Sequence, residues 1–323
     1  MLYSQVAGQE EIKRSLINSI NKNQVSHCYL FEGPEGMGKH ELAYIFAQSL
    51  FCLDFHDEPC NQCKNCIKVI SFNHPDLHII NGEGKGIKRE DIDVLIESIY
   101  RKPYEADIKV YIIKDAHLMT PQAANTFLKT LEEPPEDAVI ILLTVNSNLL
   151  LPTIVSRCQE FKFRGVSKET IMLRLKGADY QRAELAAEYS KGIISKAINI
   201  VKGKDDILIK REEIIKIFDK IINSDSEIIY ELENYFDDEK DNIDSIIEIM
   251  TIWIRDVMFV QNKMEGLAIN KDCMELLKTH GNRMKANSDL IEFMQNINDG
   301  IKSNVNYRLA IDNMLLRIQE DFK

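Results

Sequence analysis

Apolar positions alternate between two periods along the first half of this chain and keep one period along the second. Ile12, Leu16, Ile17 and Ile20 recur at helical spacing and predict a helix over 6–24, closed by Asn21-Lys22-Asn23. The run Cys-Tyr-Leu-Phe at 28–31 predicts a strand over 28–32, and Leu42, Ala43, Ile45, Phe46 and Leu50 predict a helix over 39–51. Leu77, Ile79 and Ile80 mark a short strand, with a flexible turn at 82–86. Ile92, Leu95, Ile96 and Ile99 give an amphipathic helix over 88–101, ended by Pro103. Residues 109–113, Lys-Val-Tyr-Ile-Ile, read as a buried strand. Pro121 opens a helix over 121–131, which Glu132-Glu133-Pro134-Pro135 stops. The run 138–144 is apolar up to Thr144, as a central parallel strand would be, and 159–163 is the last strand. Strands alternating with helices imply an α/β fold with a parallel sheet.

From residue 166 onward only the helical period remains. Three short patterns, 168–175, 182–190 and 192–198, precede a boundary at Lys204-Asp205-Asp206. Residues 207–323 read as all-helical. The core stripes are Ile214, Ile217, Phe218 and Ile221; Ile228, Ile229 and Leu232; Ile246, Ile249, Met250, Trp253 and Val257; Leu290, Phe293, Ile297 and Ile301; and Leu309, Ile311, Leu315, Leu316 and Ile318. The acidic run 237–241 is expected to be a solvated link.

A length of 323 residues allows two or three domains, and 45% hydrophobic residues are enough for sizeable cores. No apolar run is as long as a membrane span and the N-terminus lacks signal-peptide character, so the expected location is cytoplasmic, with no membrane partner. The net charge of −11 is spread along the chain, and a nucleic-acid partner would need a local basic patch. Lys85, Lys88, Arg89, Arg101 and Lys102 are the densest such group, either a solvated face or a phosphate-backbone contact.

Two stretches carry chemistry. Residues 33–40, Gly-Pro-Glu-Gly-Met-Gly-Lys-His, lie between a strand and a helix, the context of a phosphate-binding loop. Gly33, Gly36 and Gly38 let backbone N–H groups turn inward, and Lys39 supplies a cation for phosphates. The Ser or Thr hydroxyl that would ligate Mg²⁺ is replaced by His40, a poor ligand for a hard ion. After the strand 109–113, where P-loop ATPases place a metal-holding Asp and often a water-activating Glu, the chain has Lys114-Asp115. Both metal-handling positions are altered, so Mg²⁺ is not expected, and ATP or ADP could still occupy the loop without turnover. The second stretch is Cys52, Cys60, Cys63 and Cys66, spaced C-x7-C-x2-C-x2-C. Four thiolates at this spacing fit a closed tetrahedral Zn²⁺ site of structural type; the bland alternative is a cluster of free thiols. His56 lies inside the loop and would be a ligand only if a cysteine were displaced. Cys28, Cys158 and Cys273 are isolated in sequence and expected to be packed.

Several blocks in order and spacing make the resemblance specific: Gly8-Gln9, His-Cys-Tyr-Leu-Phe-Glu-Gly-Pro from His27, the cysteine cluster, Lys-Val-Tyr-Ile-Ile from Lys109, Asn-Thr-Phe-Leu-Lys-Thr-Leu-Glu-Glu-Pro-Pro from Asn125, and Ser156-Arg157-Cys158. Over residues 1 to about 165 the chain resembles the AAA+ clamp-loader family. That resemblance implies an AAA+ P-loop domain over 1–165 carrying a zinc module at 52–66, a small helical lid over 166–206, and a helical collar over 207–323. It implies an accessory subunit of a replicative DNA polymerase in a ring-shaped pentamer. The implied partners are gamma/tau and delta subunits, the sliding clamp and primed DNA. By the same resemblance Arg157 matches an arginine finger that reaches a neighbour's ATP; its alternative is a surface salt bridge. The nucleotide-sensing arginine of active relatives falls on Ser195. With His40 and Lys114-Asp115, these departures match the non-hydrolysing branch. The rivals are an ATP-hydrolysing gamma/tau-like subunit and a scaffold in which Arg157 has no role.

Overall fold

The computed structural model describes residues 1–82, 86–224, 227–283, 288–303 and 305–322. It separates into two compact units, Met1–Arg174 with Lys191–Ser195, and Leu175–Ser190 with Lys196–Lys323. The segment 166–206 is thus divided between them.

In the first unit, β1 (Cys28–Glu32), β2 (Leu77–Ile80), β3 (Lys109–Ile113), β4 (Ala138–Thr144) and β5 (Gln159–Lys162) form a parallel sheet of order β2-β3-β4-β1-β5. β3 and β4 are buried along their whole length, as expected of central strands covered on both faces. Side chains alternate between two cores because successive residues project to opposite sides. Tyr29, Phe31, Ile112 and Ile141 pack with Leu16 of α1 (Glu10–Asn21) and Phe46 of α2 (Lys39–Phe51). Leu30, Tyr111, Ile140 and Leu142 pack with Ile92 of α4 (Arg89–Ile99) and Phe127 of α5 (Pro121–Glu132). The sheet core therefore agrees with the alternation read from the chain.

Three local details differ. The first helix does not begin at residue 6: Gln9 holds a left-handed conformation at φ 59° and breaks the chain between a 3₁₀ turn, Tyr3–Gln5, and α1. Two short helices were not legible in the apolar pattern, α3 (Lys64–Ile70) and α6 (Pro152–Val155). α3 is capped by the sulfur of Cys63, which accepts the Cys66 N–H, a cap that the usual Ser/Asp/Asn signal does not reveal. Residues 83–85 of the expected turn lie outside the described residues.

After α7 (Lys168–Arg174), the second unit contains α8 (Tyr180–Tyr189), most of α9 (Ile194–Val201), α10 (Ile207–Asn223), α11 (Ile228–Asp238), α12 (Ile243–Gln261), α13 (Met274–Gly281), α14 (Ser288–Lys302) and α15 (Tyr307–Phe322). Ile214, Phe218, Ile246, Met250, Trp253, Leu315 and Ile318 are buried as expected, whereas Leu309 and Leu316 face outward. They sit off the inward stripe of α15, which runs through Ile311, Met314, Leu315 and Ile318. The acidic run 237–241 is not simply solvated. Asp237 pairs with Arg308, and Glu239 accepts from the nearly buried Lys210 at 2.7 Å. No helix among the described residues is long and apolar enough to cross a membrane.

Candidate functional site

The glycine loop leaves the C-terminal end of β1 and enters α2 at Lys39, so the helix N-terminus points into it. Gly36 has φ +77°, and a Cβ there would lie 2.1 Å from Ser195 Oγ and 2.8 Å from Ile193 Cγ2. Ile193 and the start of α9 therefore press against the loop, and glycine is required twice over. Lys39 is nearly buried at 4% exposed. Its ammonium donates to the Gly33 carbonyl and, at 2.8 Å, to the Pro34 carbonyl, so the cation is folded onto its own loop. Burial lowers its pKa, with Glu35 and Asp115 opposing that effect.

The structure brings together the positions that sequence singled out as altered. Burial, followed by the nearby Lys114 charge, lowers the pKa of His40, and Asp115 works against both. Neutral imidazole is thus the favoured form beside two lysines. Lys114 lies over the Tyr44 ring, 5.4 Å from its centroid. Asp115 has left-handed geometry at φ 50°. Ser195, at the expected sensing position, offers a hydroxyl that donates to the Gly36 carbonyl at 3.4 Å and brings no charge. The usual setting of two oxygen ligands and a cation is here an imidazole, two lysines and one carboxylate.

Arg157 follows α6 and precedes β5. Its guanidinium donates to Glu132 at 2.7 Å and to the Thr153 carbonyl at 2.9 Å. This is the salt bridge considered from sequence, though its partner, inside the Leu-Glu-Glu-Pro-Pro block, was not foreseen. β5 runs parallel to β1 with Tyr29 opposite Gln159. Arg157 is therefore level with the start of β1, while the glycine loop begins after its end. Six residue steps, from the level of His27 to Gly33, separate them along the strand direction, about 20 Å.

The four cysteines converge as expected. Their ligand atoms all lie within 4.8 Å of one another, and the Cys60 and Cys66 sulfurs are 3.9 Å apart. Four sulfurs about 2.3 Å from one ion would be separated by about 3.8 Å, so the set fits a tetrahedral metal. Backbone N–H groups of Cys60, Cys63 and Cys66 donate to Cys52, Cys60 and Cys63 sulfurs at 3.3, 3.3 and 3.4 Å, while burial pushes the Cys52 and Cys66 thiols up. Burial alone would raise the Cys63 thiol, but N–H donors from Leu53 and Cys66 and the neighbouring thiols outweigh it and hold it at about 6. The four cysteines are thus placed so that together they could hold a metal ion. His56 stands outside the group, largely exposed, 3.0 Å from Asp54.

In the basic group, Arg89 pairs with Asp93 at 3.4 Å one turn along α4, and Arg101, just past the end of that helix, pairs with Glu97. Lys85 lies outside the described residues. Cys28, buried as expected, and the half-buried Cys158 are distant in sequence but in contact.

Comparison with known proteins agrees with this geometry. Residues 8–167 match the family model described as DNA polymerase III, delta subunit, and 205–320 match the one described as its C-terminal part. The chain is 32% identical to DNA polymerase III subunit delta' of Bacillus subtilis, covering 97% of this chain and 96% of that protein. The chain belongs to the DNA polymerase III delta-prime family. The gamma/tau subunit of Mycoplasma pneumoniae is 38% identical over 61% of this chain but only 28% of its own length. The tau subunit of B. subtilis is 37% identical over 54% of this chain and 31% of its own. The delta-prime match extends along nearly the whole chain.

Proposed function

We propose that this chain is the non-hydrolysing subunit of a clamp loader, working with gamma/tau and delta subunits to place a sliding clamp on primed DNA in the cytoplasm. The observation that carries this reading is the group around the loop: Lys39 bonded to its own loop carbonyls, with His40 and Lys114 where metal-handling oxygens belong. A second lysine replaces the charge that would hold Mg²⁺ with one that repels it. Phosphate remains attractive to the helix N-terminus, so ATP or ADP can occupy the loop without hydrolysis.

Arg157 acts in trans in this reading. Its position at the far end of the strands from its own loop supports that assignment, because the nucleotide it serves must belong to a neighbouring chain. In place there, a guanidinium stabilises charge developing on the γ-phosphate. Residues 166–206 are the lid and 207–323 the collar that joins subunits. Cys52, Cys60, Cys63 and Cys66 hold a structural Zn²⁺, which cross-links the segment 52–66 and supplies no catalytic position.

ATP turnover by the purified chain, with Mg²⁺ and with or without primed DNA, tests this first. No turnover is expected. Robust turnover that Lys39→Ala abolishes would make the chain a motor subunit and overturn the reading. In a complex reconstituted with gamma/tau and delta subunits, Arg157→Ala is expected to slow hydrolysis at the served site by roughly 10³-fold. An unchanged DNA-stimulated rate would remove Arg157 from the mechanism.

A further inference from the structure

The first unit contains a sulfur pair apart from the four-cysteine group. Cys28 is the first residue of β1, and Cys158 directly precedes β5. These strands are parallel, with Tyr29 opposite Gln159, so one step back along each sets Cys28 beside Cys158. Residues in register on adjacent parallel strands project to the same face. The two sulfurs are 2.6 Å apart. That separation lies between an S–S bond, about 2.05 Å, and ordinary contact between two thiols. Strands about 4.8 Å apart also set the Cα atoms within the range of about 4.4–6.8 Å that a disulfide spans.

Access to the two sulfurs is unequal. Cys28 is fully buried in the core beneath α4 and α5, whereas Cys158 is half-buried at the edge of that core. Burial, reinforced by Cys158, holds the Cys28 thiol well above its usual range. A reagent from solution therefore meets Cys158 first, and Cys28 can react only with what Cys158 carries.

We propose that Cys28 and Cys158 form a reversible redox site, oxidised to an intrachain disulfide by a low-molecular-weight disulfide, RSSR. The Cys158 thiolate attacks one sulfur of RSSR, forming a mixed disulfide and releasing RS⁻. Cys28 then attacks the Cys158 sulfur; its proton is lost, the bond to R is broken, and the second RS⁻ leaves. The two RS⁻ groups take up the two protons given up by the pair, so two cysteines lose two electrons and RSSR becomes two RSH. In a reducing compartment such a bond is transient, which suits a sensor better than a staple. The bond ties β1, the strand that runs into the glycine loop, to the turn bearing Arg157, where the Arg157 and Cys158 N–H groups donate to Ile154 and Val155. This chemistry does not depend on any role of Arg157, so the two can fail separately.

The test uses the full-length zinc-loaded protein treated with glutathione disulfide, then alkylated, digested and mapped by mass spectrometry. Expected are a cross-linked peptide pair containing residues 28 and 158, loss of those two alkylatable thiols, and recovery of both with dithiothreitol. Cys158→Ser should abolish the link, and Cys28→Ser should leave Cys158 trapped as the glutathione mixed disulfide. Wild-type protein whose Cys28 stays alkylatable after Cys158 has reacted would overturn the proposal, as would Cys158 linked instead to one of Cys52, Cys60, Cys63 or Cys66. Because the readout is on the wild type, a variant that fails to fold does not decide the outcome.

Discussion

At the scale of single residues, the glycine loop shows how identity and environment act together. Lys39 would be a phosphate-binding cation in any such loop, yet here its ammonium is already bonded to two carbonyls and its pKa is lowered by burial. Gly36 is constrained more tightly than the motif requires, by its positive φ and by Ser195 and Ile193. Gly36→Ala is therefore expected to destabilise the first unit by about 1–2 kcal/mol, from the left-handed backbone alone, with further loss from the contacts. Urea unfolding measures it, and an unchanged midpoint would mean the loop relaxes freely. His40, Lys114 and Asp115 were legible as departures because the flanking strand-turn-helix pattern fixed what each position should hold. Glu132 was not legible as the partner of Arg157, since 25 residues separate them and only the packing of α5 against α6 brings them within 2.7 Å.

At the scale of elements, loops are held by a few buried charges rather than by apolar contact. Asp76 is 1% exposed, and its carboxylate accepts N–H bonds from Tyr104, Glu105 and Ala106 at 2.6, 2.8 and 2.9 Å. Burial pushes its pKa up, but those three donors and His74 outweigh burial and leave it below the usual range. A carboxylate whose folded pKa is depressed adds stability above its unfolded pKa, about 3.9, and loses it as pH falls through the folded value. Asp76→Asn should therefore cost about 2–3 kcal/mol at pH 7, and the deficit should shrink below about pH 4. Unfolding both proteins in urea across that range gives the answer; a deficit independent of pH would show that shape, not charge, matters. The cysteine segment is the other such element. Chelation is expected to deprotect the amides of 52–70 in hydrogen exchange, because α3 takes its cap from Cys63 and the proposed Zn²⁺ on the four sulfurs would be its anchor. Unaltered protection in metal-free protein would mean that the apolar contacts suffice.

At the scale of the whole molecule, the two units are built on different economies. The first buries a sheet between two helical layers. The second is a helical assembly whose centre includes a polar knot. Asn270 accepts from Arg211 at 2.6 Å and from Tyr189 at 3.0 Å, and donates to Asp256 at 2.7 Å, all essentially buried. These residues come from α8, α10, α12 and the segment before α13, so one side chain joins elements far apart in sequence. Asn270→Ala would leave several buried groups unpaired and is expected to cost about 3 kcal/mol or more. Calorimetry should show the loss in the transition of the second unit; a neutral result would mean that water replaces the amide.

The sequence by itself determined the alternating strands and helices, the phosphate loop with its altered metal positions, the four-cysteine spacing and the family. Each rests on local chemistry: a side-chain period, a glycine demand, or ligands a few residues apart. Tertiary structure alone decided the strand order, the Glu132 partner of Arg157, the pressure of Ser195 on Gly36, the Asn270 knot and the meeting of Cys28 with Cys158. Leu309 and Leu316 show the same limit, since an apolar residue on a helix does not specify which side its neighbours will cover. These outcomes depend on which distant segments are brought together, and that is a property of the packed chain rather than of any window along it.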